Sequence, residues 1–337
     1  MKVVVMNGSG EPRNVLSINE RNDPSEPEYG QAVVRIKKRI IHPADYQTIR
    51  GYLPKEVFTH DGVPGIDGVG VVEAINSQDG HATGLSVGTR VIVYHTRGTW
   101  AERVVVPVSS LMPVPDDIND SVACQLATNG ITGLMLLNAA QQSASEPAMK
   151  APLLVTAANS GVAQNVIALA IAAGHQVTGL VRRQADTTIL KERFNQADFI
   201  GTDQDNWEEK VKRVAVKIPE VAIDPIGGQM ASTLLGLLPP GGTLITYGAL
   251  DPQAAQIHTG FLTSLELTIK GCSAIGWATR TSTEQRVADF NSLFNLVRKS
   301  PEIYGNTNEF SFNSVVDAVA SAESSPRRGA TILVSDE

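Results

Sequence analysis

Between Ala151 and about Gly271 the chain repeats one pattern, and that pattern leaves few folds open. Short apolar runs, "PLLVTA", "HQVTGLV", "ADFIG", "EVAIDPIGG" and "GGTLITYGAL", alternate with amphipathic segments at helical spacing. Strands too short and too apolar to face water, each followed by a helix-like stretch, specify βαβ units. These stack into a doubly wound parallel sheet covered on both faces.

The rest of the chain reads differently. From residue 1 to about 120 it is β-rich and segmented, with "QAVVRIKKRI", "GVGVVEAI", "RVIVY" and "AERVVVP" separated by turns rich in Gly and Pro. Asn119 or Asp120 can cap a helix opening "NDSVACQLATNGITGLMLLNAA". After residue 271 a helix-like "TEQRVADFNSLFNLVRKS", a short helix near Ser314–Ala322 and a last strand "GATILV" follow, read as returning to the first domain. "SQDGHATG" is read as a loop. The expected division is an α/β chain with a discontinuous β-rich domain, 1–121 and 272–337, interrupted by a parallel-sheet domain, 122–271.

A chain of 337 residues exceeds one typical core, in keeping with two domains. A net charge of −7 excludes a general nucleic-acid binder, because phosphate backbones need a basic face. No apolar run approaches the roughly 18 residues of a membrane span. The N-terminus turns polar within a few residues, without a signal-peptide core, and two cysteines, Cys124 and Cys272, are too few for a disulfide framework. A cytoplasmic setting is expected.

The stretch Leu153–Gln184, "LLVTAANSGVAQNVIALAIAAGHQVTGLVRRQ", carries the chemistry. A strand-to-helix turn binds pyrophosphate because backbone N–H groups and the helix dipole face the anion. The usual G-x-G-x-x-G is here Ala158-Asn159-Ser160-Gly161-Val162-Ala163, with one glycine. Asn159, Ser160, Gly161 and Val162 are the candidate phosphate contacts, the Ser160 hydroxyl as a donor. An ordinary buried βα turn is the alternative. The next strand ends "GLVRRQ", with no acid for a ribose diol but with Arg182 and Arg183, whose guanidinium forks match a 2′-phosphate. NADPH is therefore the expected cofactor; two solvated surface arginines are the other reading.

Taken in order, "HPADYQTIRG", "PGIDGVGVV", "VGTRVIV", "GTWAERVVVP", "ANSGVAQ" and "LPPGGTLITYG" resemble the zinc-independent members of the medium-chain dehydrogenase/reductase superfamily over nearly the whole chain. Within it, "NSGVAQNVI", "LVRR" and "LELTIKGCSAIGW" are most similar to the 2-enoyl thioester reductases, with the quinone oxidoreductases close by. The resemblance implies a GroES-like β-rich catalytic domain and an inserted Rossmann domain. It also implies a homodimer pairing the cofactor-domain sheets.

Where zinc enzymes of the superfamily carry ligands, this chain has His42, Ile66 and Asn129, which cannot make a zinc site. His42 and Asp67 read as turn and packing residues. Without metal, an NADPH enzyme can reduce a polarised C=C bond if the protein supplies a donor to the carbonyl oxygen and a proton source. The resemblance gives that part to Tyr52, since a phenol is protonated at neutral pH; a loop tyrosine packed on a strand is the alternative. Trp277 matches an aromatic position of the acyl pocket, or else anchors a domain interface. Asn129 and Thr132 would shape the nicotinamide pocket. Tyr247, Gly248 and Ala249 end a strand at the carboxyl edge, where cofactors lie in this fold. His60, His81, His175 and His258 are isolated and expected to be solvated.

Three functions follow. The first is NADPH-dependent reduction of an activated alkene, an enoyl thioester foremost. The second is reduction of a quinone or α,β-unsaturated carbonyl. The third is a non-catalytic NADPH-binding protein.

Overall fold

The structure is a computed structural model that describes residues 1–77, 84–144, 150–214, 218–324 and 329–336. Most of the "SQDGHATG" stretch, with His81, lies outside the described residues. The chain divides into two units, Met1–Thr128 with Thr281–Glu337, and Asn129–Arg280.

The first unit opens with an antiparallel pair, β1 (Lys2–Met6) and β2 (Leu16–Glu20). Then come β3 (Gln31–Ile40), β4 (Gly68–Asn76), β5 (Arg90–Val93), β6 (Arg103–Pro107) and β7 (Leu111–Pro113). β3 and β4 pair antiparallel with register shifts at Val33/Val34 and Ile36/Lys38. The backbones come so close there that a Cβ at Gly70 would strike the Arg35 carbonyl, which explains a glycine amid valines. The helix Pro43–Arg50 starts with Pro43 in its first turn, where a missing N–H costs nothing.

Asn119 caps the helix Asp120–Gln125, its side chain accepting from the Val122 amide at 3.0 Å. That helix runs into a π-helical turn, Leu126–Gly130, and then the helix Ile131–Ser143. A π turn carries an extra residue per turn and twists the side chains on either side out of register.

In the second unit β8 (Leu153–Val155), β9 (Val177–Val181), β10 (Asp198–Gly201), β11 (Val221–Asp224), β12 (Thr243–Thr246) and β13 (Thr268–Gly271) form one parallel sheet, ordered β10-β9-β8-β11-β12-β13. The order reverses at β8, the switch point at which this architecture opens a crevice at the carboxyl edge. Leu154, Leu180, Ile200, Ala222, Leu234 and Leu244 share its buried core.

The chain then returns to the first unit. The helix Thr283–Lys299, β14 (Thr307–Ser311), the helix Val315–Glu323 and β15 (Ala330–Val334) complete a sheet ordered β14-β15-β3-β4-β5-β7, with β6 also on β3. Trp100 and Phe312 lie fully buried in its core.

The observed division falls later than boundaries at 121/122 and 271/272. The helix Asp120–Gln125 packs on β3 and β4, so it stays with the first unit. The helix Ala274–Arg280 packs on the helix Ile131–Ser143, so it stays with the second. No helix among the described residues is long and apolar enough to cross a membrane.

Candidate functional site

β8 leaves the sheet through Thr156 and Ala157, the latter at φ 47°, a left-handed conformation that turns the chain sharply into the following helix. Ser160 is the N-cap of the helix Gly161–Ala173. Its Oγ accepts from the Ala163 amide at 3.2 Å, and its carbonyl accepts from the Gln164 amide at 3.0 Å. The Ser160 Oγ thus caps the helix as an acceptor, a role compatible with its O–H acting as a donor. Gly161 and Val162 follow in the first turn, where amides have no intrahelical partner. Both Asn159 and Gly161 are exposed.

The single glycine has a specific reason. An ideal Cβ at Gly161 would stand 2.5 Å from Asn129 Nδ2. The missing side chain makes room for the Asn129 amide, delivered by the π-helical turn. Gln164 Nε2 donates to the Asn159 carbonyl at 3.0 Å, while Gln164 Oε1 accepts from Arg193. A polar brace thus holds the turn from behind. Thr132 is buried one turn beyond Asn129.

Two more loops meet at the same sheet edge. Asp224 ends β11 fully buried, accepting from the Thr156 hydroxyl, the Ile226 amide (3.2 Å) and the Gly227 amide (2.8 Å). Burial raises its pKa, and these three donors oppose the rise. The loops after β11 and β12 are zipped together by Tyr247 N to Asp224 O (3.1 Å), Leu250 N to Pro225 O (3.0 Å) and Asp251 N to Ile226 O (2.8 Å). Gly248 and Ala249 are exposed there. The Tyr247 hydroxyl is buried and, among the described residues, has no partner of hydrogen-bonding geometry. Burial raises that phenol's pKa, against the pull of the Ser160 hydroxyl. Asp224 and Thr156 were not singled out from sequence; an acid ending an apolar run just before Pro and paired glycines was the available signal.

The two arginines after β9 differ. Arg182 is exposed. Arg183 is engaged by Asp186, through Nε to Oδ2 at 3.1 Å and Nη2 to Oδ1 at 2.6 Å. The strand end itself holds no acid, as its sequence says, but the next turn brings one back.

In the first unit His42, Asp45, Asp67 and Thr128 form a buried polar cluster. His42 Nε2 meets Asp67 Oδ2 at 2.8 Å, and the Thr128 hydroxyl donates to the same oxygen at 2.6 Å. Asp45 Oδ2 accepts from the His42 amide at 2.7 Å. His42 and Asp67 are thus more than turn residues: they anchor the π-helical turn. Asp45 has its pKa raised to about 7 by burial, partly countered by His42. Among the described residues no cluster of three or more His, Cys, Asp or Glu is placed to hold a metal ion.

Tyr52 lies 72 % exposed on the turn after the helix Pro43–Arg50. Tyr46 packs partly buried on the first unit's core. Trp277 sits half-buried on the helix Ala274–Arg280. His175, expected to be solvated, is instead buried, its ring bonded to the Ala151 carbonyl (3.0 Å) and Gln141 (3.3 Å); His60 and His258 are exposed.

The comparisons with known proteins agree with this architecture. Residues 28–116 match the alcohol dehydrogenase GroES-like domain, and residues 161–292 match the zinc-binding dehydrogenase family. The mitochondrial enoyl-acyl-carrier-protein reductase of Rattus norvegicus is 28 % identical over 308 residues, spanning 89 % of this chain and 79 % of that protein. A putative NADPH:quinone reductase from Bacillus thuringiensis superposes with a TM-score of 0.85 at 24 % identity, covering 99 % of both chains. A mycobacterial protein solved with NADPH superposes at 0.84 and 21 % identity, covering 99 % of this chain and all of its own. On these matches, with a GroES-like unit interrupted by a parallel-sheet unit, the chain belongs to the medium-chain dehydrogenase/reductase superfamily and is an oxidoreductase.

Proposed function

We propose that this protein is an NADPH-dependent reductase of a polarised carbon–carbon double bond, with 2-enoyl thioesters as its first substrate class. The observation that carries the reading is the open helix N-terminus at Gly161–Val162, followed one strand later by the exposed cation Arg182. The residues present fit a dinucleotide. The first-turn amides and helix dipole suit a pyrophosphate, Arg182 suits a ribose 2′-phosphate, and the Tyr247 hydroxyl lies buried beside Ser160 of the turn.

When bound, the cofactor supplies a hydride. The substrate's β-carbon takes that hydride, its α-carbon takes a proton, and negative charge grows on the carbonyl oxygen meanwhile. In this reading Tyr52 donates a hydrogen bond to that oxygen and supplies the proton. Asn129 and Thr132 bound the nicotinamide pocket, and Trp277 lines the acyl pocket. Gly248 and Ala249 leave the carboxyl edge open to the cofactor.

A quinone or α,β-unsaturated carbonyl is the second substrate reading, favoured by the names of the structural neighbours. A non-catalytic NADPH-binding protein is the third. The reading includes a homodimer built on β13, the exposed terminal strand of its sheet, and a cytoplasmic setting. Steady-state NADPH oxidation against enoyl thioesters, quinones and enones separates the three, since the last predicts binding without turnover. Arg182→Ala tests the cofactor. Charge-assisted bonds worth about 1.5–3 kcal/mol are lost, so NADPH affinity should fall at least tenfold while NADH affinity holds.

A further inference from the structure

The carboxylate of Asp186 meets Arg183 edge to edge, at 3.1 Å and 2.6 Å, inside a turn that fixes both residues. The Asp186 amide donates to the Arg183 carbonyl at 3.0 Å. Gln184, between them, is held by its amide to Asp203 Oδ1 (2.9 Å) and by its Oε1, which accepts from the Gly201 amide (2.8 Å). Asp186 also precedes the helix Thr187–Arg193 without capping it by its side chain.

A guanidinium presents a planar fork, and one carboxylate fills the Nε–Nη2 edge of that fork completely. The Arg183–Asp186 pair is neutral as a unit. On the NADPH reading above, from which this inference follows, we propose that Asp186 sets the cofactor preference. It is an internal anion that competes with a ribose 2′-phosphate for Arg183 and so holds down discrimination between NADPH and NADH. An incoming phosphate has to displace Asp186 or make do with Arg182 and the outer corner of Arg183. A bare ribose diol meets no such competition.

The test is fluorescence titration of NADPH and NADH against wild type, Asp186→Asn, Arg183→Ala and the double variant. Asparagine keeps the shape and removes the charge. NADPH should bind about three- to tenfold more tightly to Asp186→Asn, with NADH within about twofold of wild type. Arg183→Ala alone should change NADPH affinity little, and the gain should vanish in the double variant, the signature of a coupled pair. NADPH affinity that is unchanged or weaker in Asp186→Asn overturns the inference alone. Weaker NADH binding in that variant also overturns it, because Asp186 would then be a ribose ligand. Wild type that binds no NADPH overturns the cofactor reading and this inference with it. Unchanged thermal unfolding of Asp186→Asn shows that the comparison concerns binding rather than folding.

Discussion

The Thr128 hydroxyl donates to Asp67 Oδ2 at 2.6 Å, and Asp67 is almost wholly buried. This bond ties Thr128, within the π-helical turn Leu126–Gly130, to the segment that enters β4. His42 shares the same carboxylate oxygen, while the other oxygen has no hydrogen-bond partner among the described residues. A buried carboxylate with so few donors is sensitive to the loss of one.

Thr128→Val should therefore destabilise the protein by about 1–3 kcal/mol, the cost of stripping a donor from a buried acceptor. Thr128→Ser, which keeps the hydroxyl, should recover most of the loss. Urea unfolding reads both, and an unchanged midpoint in the valine variant would remove the bond from the account.

Asp45 gives a pH dependence of definite sign. Burial lifts its folded pKa from 3.8 to about 7. Between those values the unfolded chain has released the proton while the folded chain keeps it, so stability falls as pH rises through the window. Asp45→Asn retains an acceptor for the His42 amide and has nothing to titrate. Its stability between about pH 4 and pH 7 should be flatter than wild type by at least about 1 kcal/mol. Parallel curves for the two proteins would contradict the buried, protonated carboxyl.

Gly161→Ala places a methyl where the Asn129 amide now stands, 2.5 Å from Nδ2. Alanine suits a helix N-terminus, so the fold should persist. The amide must turn aside, and on the proposed function NADPH affinity should drop about tenfold. Asn129→Ala added to Gly161→Ala should relieve the clash. If the single variant binds NADPH as wild type does, the glycine is not needed at the turn.

Tyr52→Phe is the sharpest test of the substrate. The side chain is exposed, so the ring alone should preserve folding and cofactor binding. Loss of one oxyanion donor costs on the order of a hundredfold to a thousandfold in turnover. Reduction of an enoyl thioester should collapse by that factor, while quinone reduction persists. Enoyl turnover within about twofold of wild type would make Tyr52 structural and favour the quinone reading.

Much of this protein was legible in its sequence because the signals are local. The apolar runs that alternate with amphipathic segments became β8 to β12 of the parallel sheet. Asn119 or Asp120 reads as a helix cap, and Asn119 is the one. Period and turn chemistry depend on near neighbours, which a linear chain displays directly.

What the tertiary structure decided is who partners whom. Ser160 reads as a phosphate donor, and only helix geometry shows that its oxygen also accepts from the Ala163 amide. Arg182 and Arg183 look equivalent in "LVRRQ", yet the turn after them brings Asp186 onto the second. Gly161 reads as a phosphate contact, and only the fold shows that Asn129, far away in sequence, fills the space a side chain there would need. His175 reads as solvated until the chain buries it against Gln141 and Ala151. His42, Asp67 and Thr128 lie far apart in sequence and share one oxygen in space. The physical reason is common to all of them. A polar group's role is set by which donor or acceptor reaches it once water is excluded, and folding brings those partners together from distant parts of the chain.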